Sequence, residues 1–381
     1  MQKKNIESYL KPYAVKSTNT KGRLYKELEN SIRSPYQRDR DRIIHSSSFR
    51  RLKHKTQVFV NIEGDHYRTR LTHSMEVSQI ARTLARALGL NEDLCETLSL
   101  SHDLGHTPFG HAGEEVLNLC MDPFGGFNHN IQTVRILTHL EKKYYNFYGL
   151  NLTIETLDGL LKHNGPINNI NLYKRILGSN FFNTKLNFNK FPSLEAQVAA
   201  ISDDIAYNNH DLEDGLRAGL FTLDKISKLQ FISNIINKHT KNLKKFRKEV
   251  VVNHIIRELI NKMVIDVINT TNKNLREYNP KSLNDIYNHE KLTVNFSNEM
   301  KNFEKQIKHF LNKNMYNNKK VLINTNKGKK IIKELFKYLI KNPKKYINHA
   351  FLKNEKKERL VADFIAGMTD RYAINLYNKI K

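Results

Sequence analysis

Cysteine is almost absent from this sequence: Cys95 and Cys120 are the only two in 381 residues. They do not form the C-x-x-C spacing of redox motifs or of structural zinc sites. We therefore predict that both are thiols of the hydrophobic core, and that redox exchange and cysteine-bound zinc are not the chemistry of this protein.

Long hydrophobic runs are also missing. No stretch approaches the roughly eighteen apolar residues that suggest a membrane-spanning helix, and the first residues lack the apolar segment of a signal peptide. We therefore expect a cytoplasmic protein with no membrane partner. Neither a P-loop nor a G-x-G-x-x-G string occurs, so the sequence does not support ATPase or dinucleotide chemistry.

Glycine and proline are scarce, with 16 and 8 residues, and apolar residues recur at helical spacing. We predict an all-α fold with a polar N-terminal arm (1–30), a helical core (31–215) and an additional C-terminal helical lobe that packs on the core (216–381). Helices are predicted over residues 73–89, 91–103, 111–120, 128–140, 153–163, 193–210 and 358–377, with amphipathic helices from 222 to about 340.

Acidic residues are few relative to basic ones: 38 Asp and Glu stand against 63 Lys and Arg, a formal net charge of +25 at pH 7. Such an excess can bind the phosphates of nucleic acid. However, lysine, asparagine and isoleucine dominate the C-terminal half together, which is also the pattern of an AT-rich genome. Two interpretations stay open: solvated helix faces, or a surface that attracts a triphosphate or a single-stranded nucleic acid.

Ionisable residues are concentrated in the string from His102-Asp103 to His111 and Glu114. A histidine and a carboxylate at the end of an apolar helix, followed by a Gly/Pro turn and further histidines, are typical of a divalent-metal site. A lone His-Asp pair would more often have no such role, so the prediction depends on what the rest of the chain brings to it.

Two more helices carry suitable residues. His73 lies at the start of a helix whose apolar positions recur at the spacing of a buried face. Asp203, Tyr207 and Asp211 follow an i, i+4, i+8 spacing and share one face of a second helix. Burying this acidic and aromatic stripe is unfavourable unless a metal or a polar substrate pairs with it.

The ordered set His73, His102-Asp103 and Asp203 resembles the signature of the HD-domain metal phosphohydrolases, and the neighbouring strings resemble the bacterial deoxyguanosine triphosphate triphosphohydrolase (dGTPase) family. These strings are Phe49-Arg50-Arg51-Leu52, Lys55-Thr56-Gln57-Val58-Phe59, Arg70-Leu71-Thr72-His73-Ser74, the string from His102 to Glu114, Asp203-Asp204-Ile205-Ala206-Tyr207 and Gly367-Met368-Thr369-Asp370-Arg371-Tyr372-Ala373. The matches are dense over residues 31–215 and return in the last twenty, whereas residues 220–355 carry no recognisable motif.

The resemblance implies an all-helical HD core at 31–215 with His73, His102, Asp103 and Asp203 as ligands of a divalent metal. A mixed nitrogen and oxygen set with open positions suits Mg²⁺ or Mn²⁺ best, with Co²⁺, Ni²⁺ or Fe²⁺ as alternatives. The implied reaction is hydrolysis of a deoxynucleoside triphosphate to deoxynucleoside and inorganic triphosphate.

The departing 5′-oxygen in that reaction needs a proton, and His111 with Glu114, at i, i+3, fits this role, with activation of the attacking water as the alternative role of His111. The matching pair is catalytic in the families that the string resembles. His129 is interpreted as a phosphate contact or a bystander, and His106 as a structural histidine.

Substrate contacts also follow from the resemblance. Arg70 matches a phosphate-binding arginine, although a salt bridge to Asp103 or Asp203 is its alternative role. Gln57 and Asp211 match positions that hold the deoxyribose 3′-hydroxyl. Tyr207 matches a ring that excludes a 2′-hydroxyl, with ordinary core packing as the alternative.

Two other functions stay open at this stage. One keeps the metal site but acts on a nucleoside monophosphate or a guanosine tetraphosphate-like alarmone. The other is a nucleic-acid-binding protein that uses the HD core as a scaffold. The resemblance also implies a homo-oligomer, and the charge allows single-stranded nucleic acid as an effector. The preferred base is left undetermined.

Overall fold

The computed structural model describes residues 7–29, 31–57, 67–178, 181, 186–348 and 355–381. Over these residues the chain forms helices joined by turns and loops, with three isolated bridges and no β-sheet. The predicted all-α fold is therefore confirmed. None of the helices in these ranges is long and apolar enough to cross a lipid bilayer.

The described residues form seventeen α-helices. The first eight are α1 (Pro35–Ile44), α2 (Ser47–Arg51), α3 (Arg70–Leu88), α4 (Glu92–Ser101), α5 (Gly110–Met121), α6 (His129–Arg135), α7 (Ile154–Leu161) and α8 (Ile170–Leu177). The others are α9 (Leu194–Arg217), α10 (Leu223–Ile226), α11 (Gln230–Leu243), α12 (Lys248–Tyr278), α13 (Leu283–Asn288), α14 (Asn298–Leu311), α15 (Lys319–Lys341), α16 (Lys357–Ala366) and α17 (Asp370–Ile380).

Helices α3 and α9 show how local sequence sets these elements. Helix α3 begins because the Thr69 side chain accepts a hydrogen bond from the amide of Thr72, whose side chain in turn accepts one from the Thr69 amide. It ends at Gly89, which adopts the left-handed conformation that glycine favours. Helix α9 begins after the N-cap Ser193 and extends beyond the predicted 193–210, to Arg217.

Two predicted helices are corrected. The one predicted over 91–103 ends at Ser101, and His102–Gly105 forms a 3₁₀ turn. The one predicted over 358–377 is divided into α16 and α17 because the Thr369 side chain accepts a hydrogen bond from the amide of Tyr372 and so starts a new helix.

Three hydrophobic clusters hold the helices together. The first joins α3 and α9 to α11, α12 and α14, and the second packs α1, α4, α6 and α7 together. The third packs α5, which follows the His102–Gly105 turn, against α15, α16 and α17. Late parts of the chain thus contact the helix that carries His111 and Glu114.

The N-terminal segment that was predicted as an arm also contributes apolar side chains. Leu10 and Ala14 belong to the first cluster and Val15 to the second, all three buried. The division of the chain into arm, core and lobe stays a prediction, because a shared core does not define domain boundaries.

The N-cap of α3 provides a test of this packing. We expect Thr69→Ala to lower the free energy of unfolding by about 1 kcal/mol, because it leaves the amide of Thr72 in the first turn without its side-chain acceptor. The matched control is Thr83→Ala on the exposed face of the same helix, which should change stability by less than about 0.5 kcal/mol. Urea denaturation followed by circular dichroism measures both, and equal losses would contradict this role of Thr69.

Candidate functional site

Three residues from distant parts of the chain meet at one point. His73 lies on α3, His102 on the turn after α4, and Asp203 on α9. The Nε2 atoms of His73 and His102 lie 2.9 and 3.6 Å from Oδ1 of Asp203. Their ligand atoms all lie within 4.8 Å of one another, so this group can hold a metal ion.

The orientation of His102 suits a ligand. Its Nδ1 donates to the carbonyl of Ser99 at 2.6 Å, which leaves Nε2 facing the group. Nε2 is buried and has no hydrogen-bond partner. Burial alone would lower the pKa of His102, but the carboxylates of Asp103 and Asp203 raise it to about 9. The field that attracts a proton to this imidazole would equally attract a metal cation.

Asp103 lies beside this group rather than within it. Its Oδ1 is 3.5 Å from Nε2 of His102, and its Oδ2 accepts a hydrogen bond from the Arg70 guanidinium at 2.9 Å. Burial would raise the pKa of Asp103, but Arg70, His102 and His106 hold it well below its usual value. The contact of Arg70 is therefore the salt bridge that was its alternative role. Its role toward phosphate stays a prediction.

A second ionisable cluster centres on Glu114. The Glu114 carboxylate accepts hydrogen bonds from the backbone amide of His129 at 2.9 Å and from its Nδ1 at 2.7 Å. Nδ1 of His111 is 3.6 Å from the other carboxylate oxygen, and the His111 side chain is 65% exposed. The predicted pair of His111 and Glu114 is thus extended by His129.

The ring geometry of this cluster favours proton transfer over metal binding, although its donor atoms are close enough to be a candidate metal group. The rings of His106 and His129 stack 3.9 Å apart at 17°. In nearly parallel rings the nitrogen lone pairs do not converge on one ion. Burial would raise the pKa of Glu114, but the close approach of His111 and the hydrogen bonds from His129 keep it well below its usual value, so Glu114 is an ionised acceptor.

The same face of α9 continues away from Asp203. Asp211 is buried, and its carboxylate accepts a hydrogen bond from the hydroxyl of Tyr316. The rings of Tyr207 and Tyr316 lie 6.4 Å apart. Burial raises the pKa of Asp211 to about 7 in spite of this hydrogen bond. The predicted stripe is therefore lined by a tyrosine from the C-terminal half of the chain.

Gln57 and Arg70 approach the start of α5 closely. A Cβ atom on Gly110 would lie 3.0 Å from the Arg70 guanidinium and 3.5 Å from the carbonyl of Gln57, and its φ is +57°. Oε1 of Gln57 is buried without a hydrogen-bond partner. Val58 and Phe59, which follow in the motif, lie outside the described residues.

Sequence reasoning missed two residues of this site. Nε2 of His163 lies 3.5 Å from Oδ2 of Asp203, and its ring stacks on His102 with centroids 5.6 Å apart. Tyr316 occupies a π-helical turn, Asn312–Tyr316, in the stretch without a recognisable motif. Neither residue has a local spacing that could have identified it, because each reaches the site only through the packing of helices.

Comparisons with known proteins agree with this arrangement. Residues 70–208 match the HD domain and residues 294–379 match the phosphohydrolase-associated domain. A deoxyguanosinetriphosphate triphosphohydrolase-like protein of Pelagibacter ubique is 58% identical over 360 residues, which cover 94% of this chain and 96% of the relative. The like-named protein of Bartonella henselae is 49% identical and covers 100% and 98% of the two chains.

The chain belongs to the deoxyguanosinetriphosphate triphosphohydrolase-like family. It is accordingly an HD-domain hydrolase. The HD match includes His73, His102, Asp103 and Asp203, so the sequence resemblance to this family is confirmed. The phosphohydrolase-associated match includes Tyr316, which places this residue within a family domain.

The metal group predicts an affinity that can be measured without activity. We expect Asp203→Asn to weaken Mn²⁺ binding at least about 100-fold, because loss of a ligand should cost no less than loss of its supporting partners. The matched control is Asp204→Asn, since Asp204 pairs with Lys308 at 3.0 Å and is outside the group. Titration calorimetry on metal-free protein measures both, and equal weakening would contradict the assignment.

Proposed function

We propose that this protein hydrolyses a deoxynucleoside triphosphate to deoxynucleoside and inorganic triphosphate with a divalent metal held by His73, His102, Asp103 and Asp203. Mg²⁺ or Mn²⁺ is the proposed ion, with Co²⁺, Ni²⁺ or Fe²⁺ as alternatives. Asp103 would contribute Oδ1, the oxygen 3.5 Å from Nε2 of His102, while its Oδ2 accepts the hydrogen bond from Arg70.

One observation carries the proposal. Oδ1 of Asp103 lies 3.5 Å from Nε2 of His102 and 3.1 Å from Nε2 of His106. His106 in turn stacks on His129, which is hydrogen-bonded to Glu114. A group suited to a metal and a group suited to proton transfer are thus adjacent, as hydrolysis of a phosphate ester requires.

A bound divalent ion would supply polarisation of a phosphoryl oxygen and a lowered pKa of water. The residues of the chain supply the proton chemistry. Cleavage between the α-phosphorus and the 5′-oxygen leaves an alkoxide, and His111, whose imidazole is exposed, is proposed to donate a proton to that oxygen. Glu114, whose carboxylate lies 3.6 Å from Nδ1 of His111, is proposed to orient this imidazole.

Phosphate and sugar contacts complete the proposal. Arg70 and His129 are proposed to contact the triphosphate, since both present nitrogen donors between the two groups. Gln57 and Asp211 are proposed to bind the 3′-hydroxyl, supported by the unpaired Oε1 of Gln57 and the buried carboxylate of Asp211. Tyr207 would block a 2′-hydroxyl by its bulk.

We also propose a cytoplasmic homo-oligomer that single-stranded nucleic acid can modulate. The resemblance supports the oligomer, and the net charge of +25 supports the polyanionic effector. Size-exclusion chromatography with light scattering, and DNA titration at low and high salt, distinguish these proposals from a monomer without affinity for DNA.

The reaction is tested by incubating the protein with each of the four dNTPs and with GTP in Mg²⁺ or Mn²⁺. Ion-exchange chromatography should show intact triphosphate from at least one dNTP and none from GTP, and Asp203→Ala should abolish it. Release of pyrophosphate or single phosphate would contradict the proposed bond cleavage. Turnover of a nucleoside monophosphate or an alarmone instead would favour the alternative function, in which the same metal site acts on one of those nucleotides.

The proton-transfer group is tested by Glu114→Gln. This change removes the anion that orients His111 and should lower kcat about 100- to 10,000-fold, the usual contribution of general acid–base catalysis. The matched control is Glu115→Gln, because Glu115 pairs with Lys329 on the surface and is 59% exposed. A similar kcat for both variants would remove Glu114 from the mechanism.

A further inference from the structure

The string Gly367-Met368-Thr369-Asp370 near the end of the chain has no part in the chemistry proposed above, yet Asp370 is buried, with 3% of its surface exposed. It is the first residue of α17, and its carboxylate contacts two segments far away in sequence. A buried carboxylate must be compensated by hydrogen bonds, and these two segments provide them for Asp370.

The first segment is the one that leads to Gln57. Oδ2 of Asp370 accepts hydrogen bonds from the amide of Thr56, at 3.0 Å, and from the Thr56 hydroxyl. The preceding residue, Lys55, is also buried and donates from Nζ to the carbonyls of His106 and Ala366. Two contacts therefore attach residues 55–57 to the C-terminal helices. One joins the Lys55 side chain to the carbonyl of Ala366, and the other joins Thr56 to the Asp370 carboxylate.

The second segment is the start of α5. Oδ1 of Asp370 accepts a hydrogen bond from the amide of Phe109 at 3.0 Å. Phe109 is the N-cap of α5 and has a φ of +63°, in the left-handed region that non-glycine residues rarely adopt. An amide in this conformation needs a partner that holds it, and His111 follows two residues later.

The ring of Phe109 is held by the C-terminal helices as well. A Cβ atom on Gly328 of α15 would lie 2.7 Å from Cγ of Phe109, so the ring lies directly on the glycine backbone. The left-handed turn before α5 is thus fixed at its amide by α17 and at its side chain by α15.

From these contacts we infer that Asp370 is a positioning residue that sets the distance between the Gln57 segment and the helix carrying His111 and Glu114. The expected effect on catalysis rests on the proposed function, whereas the positioning of the two segments does not. One carboxylate with two oxygens holds two segments, one per oxygen.

The experiment compares Asp370→Asn with Thr369→Ala. Asp370→Asn is isosteric but replaces one acceptor oxygen with an NH₂ group, which cannot accept a hydrogen bond from either backbone amide. Thr369→Ala removes the N-cap of the same helix and leaves both contacts of Asp370 in place. Both variants weaken the start of α17. An effect seen only in Asp370→Asn therefore reports on the contacts of Asp370 with Thr56 and Phe109.

Amide hydrogen exchange provides a readout that does not depend on activity. In Asp370→Asn we expect at least about 10-fold faster exchange in peptides covering 55–57 or 106–113, as local opening becomes easier. Thr369→Ala should leave these peptides unchanged. Equal exchange rates in the two variants would overturn the inference even if the protein proves to have another substrate.

Steady-state kinetics of the proposed hydrolysis test the effect of Asp370 on catalysis. Misplacement of His111 relative to the substrate should lower kcat about 100-fold in Asp370→Asn, and KM should rise as well, because the segment that carries Gln57, the proposed 3′-hydroxyl contact, loses the same anchor. Thr369→Ala should keep kcat. If Asp370→Asn does not fold, Thr56→Val removes the hydroxyl donor alone and should still accelerate exchange at 55–57. An exchange rate at residues 55–57 equal to that of the wild-type protein would overturn the inference.

Discussion

The buried carboxylate of Asp103 is the constraint around which the site is organised. A charge with so little access to water must be compensated by its neighbours, and here Arg70, His102 and His106 share it. Arg70 comes from the start of α3, and the histidines lie on either side of the 3₁₀ turn. Satisfying one carboxylate therefore brings together the residues proposed for metal, phosphate and proton transfer.

The contacts around Asp103 continue through His106 to helix α5. His106 stacks on His129, His129 is hydrogen-bonded to Glu114, and Glu114 lies on α5. Helix α5 in turn packs against the C-terminal helices through the third hydrophobic cluster. The helix that carries His111 and Glu114 is therefore not held by its neighbours in sequence alone, since it packs against residues that follow it by more than two hundred positions. The phosphohydrolase-associated match at 294–379 includes α15 and α16, two of the helices that pack against α5.

Much of this arrangement was predictable, and the successes share a cause. Helix α3 and helix α9 carry strong apolar periodicity and capping residues, so their existence and the shared face of Asp203, Tyr207 and Asp211 followed from spacing alone. The failures share a cause too. His102–Gly105 and the break before α17 depend on local hydrogen bonds and close backbone contacts, which periodicity does not describe. Residues 170–177 form a helix that was not among those predicted from the sequence.

By itself the sequence determined the all-helical class and the family, and it predicted which residues bind a metal or transfer a proton, because such inferences depend on residue type and short motifs. Only the tertiary structure decided which of them meet. It paired Arg70 with Asp103, placed His129 closer than His111 to Glu114, and brought Tyr316 and Asp370 to the site. The physical reason is that a contact between remote residues is set by how whole helices pack, and no local pattern encodes that distance.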